Sequence, residues 1–209
     1  MTIPLRQQLL LGCVLLLATA VGIRNIAATR NEAAVGGRAH PLEAARADEM
    51  AAFARILGVI EGLGRRELAG RLRTLQERGG IWVAPGLGAG HWALYVDTFG
   101  LVRRVYLRDV ALRSPEAHLY PEADATIPGE KRRAFAGVSL AGALFHELQH
   151  WDGVEDESAA YDLEIAWLES LRGSLPRDLT DPERSALDWG IESAVLSARK
   201  ARALATASP

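Results

Sequence analysis

The sequence predicts an α+β fold that is mostly helical, with a small antiparallel sheet placed before a pair of helices. Apolar residues recur at helical spacing from Leu42 onwards and again around residue 144. Three short β-rich segments lie between residues 81 and 107. The chain has 209 residues, so it can bury one core after its N-terminal segment is set aside.

The first two predicted helices have the pattern of ordinary packing helices. The first has apolar residues at helical spacing over 50–60 and is broken by Gly62. The second has them over 68–75 and stops at Gly79, which suits a C-terminal cap. A well-signalled last helix begins near Thr180, where Thr-Asp-Pro-Glu combines a capping box with an early proline.

The β-rich segments run over residues 81–83, 92–96 and 101–107. The last two are separated by the turn-forming residues 97–100, so they predict a hairpin. Residues 114–130 contain three prolines and no periodicity, which predicts a long loop.

The N-terminus predicts a targeting segment or an anchor. Residues Leu9–Ile23 form an uncharged run of 15 residues. A membrane-spanning helix needs about 20 apolar residues, so this length suits the apolar core of a signal peptide better. We therefore expect a signal peptide or membrane anchor over residues 1–23, a tether over 24–41 and a folded domain over 42–205. Export is favoured, although three arginines between residues 24 and 38 would hold a retained segment's C-terminal side in the cytoplasm. A buried N-terminal core helix is the alternative.

Composition excludes several classes of protein. Apolar residues make up 49% of the chain and charged residues 24%, which excludes a disordered chain and a multi-span membrane protein. The formal net charge of −2 argues against a dedicated nucleic-acid binder. The single cysteine, Cys13, allows no intrachain disulfide.

One motif carries chemistry: residues 146–150 read His-Glu-Leu-Gln-His, which matches H-E-x-x-H. Residues four apart lie on one helix face, so His146 and His150 can bind one metal ion from adjacent turns. Glu147 points about 100° round the helix and can reach a water molecule at that metal. An apolar stripe would bury the far side of this helix. It consists of Leu140, Leu144, Leu148 and Trp151.

Acidic residues follow a predicted turn at Asp152-Gly153. Asp152 to Glu155 resembles a helix cap, and acidic residues in a first helical turn are favoured by the helix dipole alone. Glu155, Asp156 and Glu157 nevertheless exceed what a cap requires.

The stretch from Ala141 to about Leu171 resembles the zincin metallopeptidases, and within them the gluzincin type. The resemblance implies a zincin-like domain over residues 42–205 that binds Zn²⁺ through His146, His150 and Glu157. It implies Glu147 as the general base and a peptide or protein as the substrate. It also implies that substrate lies along a sheet edge near the motif helix, for which we expect residues 101–107.

Chain geometry selects among the acids. On an unbroken helix Glu157 would lie roughly 16 Å from His146, so the chain must turn back at residues 152–153. Folding the chain back there places residue 157 midway between the histidines, with Glu164 on the same face as a reserve ligand. Glu155 and Asp156 would point away from the metal.

Three further residues are candidates for contacts with substrate or transition state. Tyr161 shares the helix face of Glu157, and His91 and His118 lie in or near loops. Each is also compatible with a plain packing or surface role. The alternative function is a membrane-tethered binding or scaffold protein with a structural metal site or none. The oligomeric state is left open.

Overall fold

A computed structural model describes residues 5–43, 46–88, 90–119 and 126–207. The described residues form eight α-helices, four strands and one 3-10 turn. In chain order these are α1 (Leu5–Ala34), β1 (His40–Pro41), α2 (Ala47–Gly62), α3 (Arg66–Glu77), β2 (Ile81–Ala84), β3 (Ala93–Thr98), β4 (Val102–Arg108), α4 (Asp109–Arg113), α5 (Pro115–Leu119), α6 (Gly129–Trp151), α7 (Glu157–Ser170), the 3-10 turn (Leu171–Ser174) and α8 (Asp181–Ala207).

The mostly helical α+β fold is confirmed, but the sheet is mixed and not purely antiparallel. Its strand order is β1-β2-β4-β3. The predicted hairpin is present, with Ala93 opposite Leu107, while β2 runs parallel to β4 with Ile81 opposite Val105. Alternation of apolar residues specifies a half-buried strand, but not which strand lies beside it or in which direction.

The expected edge strand is also wrong. Strand β4, which covers most of residues 101–107, is paired on both sides, and β3 forms the edge next to α6. Apolar residues Val105 and Leu107 are fully buried in β4, as befits an interior strand.

Helix α6 is the centre of the domain. Its apolar stripe is confirmed: Leu140, Leu144 and Leu148 are at most 2% exposed. Helix α8 approaches it so closely at Gly190 that a Cβ there would lie 2.9 Å from the backbone of Ala134. The capping box of α8 is confirmed as well, because the Glu183 carboxylate accepts a hydrogen bond from the backbone N–H of Thr180 at 2.9 Å.

The segment expected to be a tether is packed against the sheet. Helix α1 continues through Ala34, with Ala27 and Asn31 fully buried. The amide of Asn31 donates to the carbonyl of Val102 at 3.1 Å, and β1 pairs with β2. The buried residues of α1 on this side are Ala27 and Asn31, one apolar and one polar, and such a pair is too weak a pattern to recognise in the sequence.

In the part of the chain that the structure describes, no helix combines the length and the apolar character that crossing a membrane requires.

The loop expected over residues 114–130 begins with the short helix α5 and ends in the first turn of α6, and residues 120–125 lie outside the described part.

Candidate metal centre

The last two turns of α6 carry the motif. His146 and Glu147 are buried, at 4% and 7% exposure, and His150 is partly buried. Because Leu144 and Leu148 fix the opposite face in the core, the two imidazoles must point towards the open side of the helix. Core packing therefore orients the predicted ligands.

A turn after α6 returns the chain to the histidines, as predicted. Helix α6 ends at Trp151, and Gly153 adopts a φ of +100°, a conformation that side-chain-bearing residues rarely adopt. The expected cap over residues 152–155 is wrong. Asp152 pairs with Arg71 at 2.7 Å, and Asp156 caps α7 by accepting from the N–H of Ala159 at 2.6 Å. Asp156 is thus committed to a helix cap.

Two imidazole nitrogens and the two carboxylate oxygens of Glu157 converge beside α6. The Nε2 atoms of His146 and His150 lie 3.1 Å apart. Oxygen Oε1 of Glu157 is 3.2 Å from the first nitrogen, and Oε2 is 3.0 Å from the second. Four-coordinate zinc with bonds of 2.0–2.1 Å holds its ligand atoms roughly 3.3 Å apart. The spacing therefore fits a single zinc ion with these three ligands.

The opposite ring nitrogens face other acceptors. Nδ1 of His150 donates to the carbonyl of Val154 at 2.6 Å. Nδ1 of His146 is buried and lies 3.2 Å from Oε2 of Glu164, although the angle is too poor for a well-formed hydrogen bond. With protons on both Nδ1 atoms, both Nε2 lone pairs point at each other and at the Glu157 carboxylate. A cation is the natural partner of such an arrangement.

The charges of the site are strongly coupled. Burial works against protonation of His146, but the carboxylates of Glu157 and Glu164 outweigh it and raise its pKa to about 10. The Glu157 carboxylate also raises the pKa of His150. In return, the two imidazoles lower the pKa of Glu157 far below its usual range. A bound metal ion would take the place of the protons that these histidines hold.

Glu147 does not join the three ligands. Its Oε2 accepts a hydrogen bond from the backbone N–H of Tyr95 at 2.6 Å, which ties it to the edge strand β3. Burial raises the pKa of Glu147 above its ordinary value. A carboxylate held beside the ligands, with a raised pKa, has the position and basicity of a general base.

The structure places the side chains of three of the other four candidate residues. Tyr161 lies against His146, with ring centroids 4.3 Å apart, and burial raises its pKa to about 12. His91 is exposed and lines the cavity described below. The side chain of His118 lies outside the described residues. Glu164 is 7% exposed and sits behind His146, on the side away from the three ligand atoms.

The site opens into two cavities that meet at the motif. A cavity of about 570 Å³ extends past Tyr95 and the turn after α6. A smaller one of about 230 Å³ extends between α6 and α8. Both are lined by His91, His146, Glu147 and Tyr161. The ligand atoms therefore face an open cleft and not the closed interior of the protein.

Tyr95 and Arg103 also belong to the site, although the sequence pattern did not indicate them. The Tyr95 ring stacks on His150 with centroids 6.3 Å apart, and its hydroxyl accepts from Nε of Arg103 at 2.9 Å. Both residues lie in the predicted hairpin, but Tyr95 stands within an apolar run and Arg103 beside a second arginine, so the pattern marks their strands and assigns them no role.

Comparisons with known proteins give no further guide to the site. The chain matches no protein-family model, no curated protein and no solved structure.

Proposed function

We propose that this protein is a zinc-dependent peptidase in which His146, His150 and Glu157 hold the metal and Glu147 is the general base. The observation that carries the proposal is the convergence of two imidazole nitrogens and the carboxylate oxygens of Glu157, at distances of 3.0–3.2 Å, beside a second carboxylate that is buried and belongs to Glu147. Zinc bound there would supply Lewis-acid activation of a water molecule and of the carbonyl under attack.

The openness of the site favours a catalytic over a structural metal. Structural zinc sites are closed by four protein ligands, whereas catalytic sites combine three protein ligands with an open position. Among the described residues, the group that could hold an ion consists of His146, His150 and Glu157. A cleft of about 570 Å³ adjoins them and has room for a substrate.

Strand β3 is suited to align an extended peptide. Trp92 pairs with Arg108 through a backbone hydrogen bond of 3.1 Å, so in an antiparallel ladder the backbone groups of Ala93 and Tyr95 point to the open edge. The N–H of Tyr95 indeed reaches Glu147 there. A peptide added to this edge would pass the general base.

The chain's own groups can carry out the proton transfers of hydrolysis. Glu147 removes a proton from the attacking water and delivers it to the leaving nitrogen. Tyr161 stays protonated, because burial raises its pKa to about 12, and its hydroxyl can donate to the oxyanion that develops on the carbonyl. Glu157 and the histidines hold their positions throughout.

The test compares Glu147→Gln with Glu155→Gln, an exposed residue of the same cavity. Both proteins should bind one equivalent of zinc. Hydrolysis of a fluorogenic peptide mixture should fall about 10²–10⁴-fold in Glu147→Gln only, because positioned base catalysis has that magnitude. Unchanged hydrolysis in Glu147→Gln would remove Glu147 from the mechanism. Zinc binding without hydrolysis in the parent protein would favour the structural-metal alternative.

We also propose that residues 1–23 bring the chain to a membrane or across it. Within α1, Leu16, Leu17 and Val21 are 73%, 70% and 54% exposed, which is unusual for three large apolar side chains so close together. Fractionation of cells that produce the full chain should find it in the membrane or outside the cytoplasm. Intact chain found wholly in the cytosol would contradict this proposal.

A further inference from the structure

A groove rich in arginine lies beside α1, apart from the metal ligands. We call it the arginine groove. It has a volume of about 450 Å³ and lies between α1, α3 and the sheet. The residues that line it include four arginines and no aspartate or glutamate. The arginines are Arg24, Arg78, Arg103 and Arg104, and two tryptophans, Trp82 and Trp151, stand among them.

Three of the four arginines of this groove have no carboxylate partner in the part of the chain that the structure describes, while Arg103 lies 3.8 Å from Oδ2 of Asp97. Among the described residues, Arg24, Arg78 and Arg104 take part in none of the ion pairs, although the chain has 26 acidic residues for 24 basic ones. Other arginines do pair with carboxylates across the surface. They are Arg46, Arg71, Arg73, Arg113, Arg199 and Arg202. A concentration of unpaired guanidinium groups in one concave place is what an anionic ligand requires.

Aromatic rings hold two of the guanidinium groups at the groove wall. The guanidinium of Arg104 lies 3.4 Å from the centroid of Trp82 and also donates to the hydroxyl of Tyr106 at 3.3 Å. Arg103 lies 4.6 Å over the Trp151 ring and donates to the carbonyl of that residue. A stacked guanidinium is fixed in orientation, while the N–H groups in its plane are directed past the ring edge. Phosphate is, with carboxylate, an anion whose oxygens such planar donors match.

The position of Arg24 indicates where the phosphate comes from. Arg24 follows directly on the uncharged segment Leu9–Ile23. It is three residues from Val21 and eight from Leu16, or roughly 4.5 and 12 Å along the helix axis. Both of these apolar side chains are more than half exposed. A phosphate in the groove would thus have apolar surface extending from it, as the headgroup of a lipid does.

We infer that the arginine groove binds the phosphate of an anionic phospholipid whose acyl chains run along the exposed apolar face of α1. The inference does not depend on the proposed peptidase function, because of the four arginines only Arg103 also lines the metal cleft. A free phosphate ion would use the same guanidinium groups but would gain nothing from Leu16, Leu17 and Val21. Lipid and free phosphate can therefore be distinguished experimentally.

The test titrates the full chain, in micelles of a neutral detergent, with dioctanoyl phosphatidylglycerol and with dioctanoyl phosphatidylcholine, and follows binding by calorimetry. The anionic lipid should bind at least tenfold more tightly than the zwitterionic one. The double variant Arg24→Gln/Arg78→Gln should lose roughly 30-fold in affinity for phosphatidylglycerol, since each arginine near an anionic lipid contributes about a fivefold factor. Both side chains are exposed, so the fold should tolerate their replacement.

The matched control is Arg55→Gln/Arg66→Gln, which removes the same charge from exposed positions outside the groove. It should retain the affinity within about threefold. Equal losses in the two double variants would show a general charge effect and overturn the inference. Equal affinity for the two lipids, or for inorganic phosphate and phosphatidylglycerol, would overturn it as well. Arg104→Lys keeps the charge but loses the planar stacking, and it should weaken binding without changing circular dichroism.

Discussion

Glu164 is expected to position His146 without binding the metal itself. Its side chain is buried, and Oε2 lies 3.2 Å from the buried Nδ1 of His146. Glu164→Gln keeps the size of the side chain and removes its charge. The Nδ1–H of His146 then faces a neutral amide, so the imidazole becomes a weaker donor to zinc and is less firmly oriented.

The expected loss can be estimated from this contact. Residues that orient a metal ligand typically contribute 10–100-fold to affinity. Because the contact is long and poorly aligned, Glu164→Gln belongs at the lower end, about tenfold, which corresponds to about 1.4 kcal/mol. Glu164→Ala leaves Nδ1 of His146 without any partner, so the loss of zinc affinity should approach 100-fold. Gly142→Ala should act in the same direction, since its Cβ would lie 2.9 Å from Oε1 of Glu164.

The assay is a competition titration of zinc against a chromophoric chelator at pH 7.5. Glu169→Gln is the matched control, because it lies on the same helix, is exposed and pairs with Arg199 at 2.6 Å. It should bind zinc as the parent protein does. Parent-like affinity in Glu164→Ala would refute the positioning role. If Glu164→Ala releases the metal while Glu157→Ala retains it, Glu164 is the third ligand and the assignment of Glu157 is wrong.

Three further predictions follow from the site and its turn. Glu157→Ala should weaken zinc binding by more than about 100-fold, which exceeds the effect of residues that only orient a metal ligand. Glu155→Ala should change zinc affinity by less than about threefold in the same titration. Zinc affinity should rise with pH, because the pKa of His146 is raised to about 10 and its proton must leave when the metal binds. Calorimetry in buffers of different ionisation enthalpy should show the release of protons. A zinc affinity that stays constant from pH 6 to 8 would contradict this prediction. Gly153→Ala should lower the free energy of unfolding by about 1–2 kcal/mol in urea, since φ is +100° there, and an unchanged midpoint would mean that the turn relaxes.

The elements that local sequence signals specify were predicted well. Helices α2 and α3 end close to the glycines that predicted their ends, and α8 begins at the capping box and proline that predicted its start. The side of α6 that carries His146 and His150 follows from the leucines on its other face, because one helix period relates both sets. The Asp152-Gly153 pair and the helix rise together predicted the turn that brings Glu157 back to the histidines.

The contacts between distant segments were decided by the tertiary structure alone. Strand β3 is the edge of the sheet because β4, its only neighbour in the strand order, pairs with β2 on the side away from β3. That pairing depends on which surfaces bury the most apolar area when the helices pack against the sheet. The same packing sets the N–H of Tyr95 against Glu147, 52 residues away, and places Glu164 behind His146. The helix period could therefore determine which residues converge on a metal, since they are close in the chain. It could not determine what holds those residues in place, because their partners come from elements whose distance in space is independent of their separation in sequence.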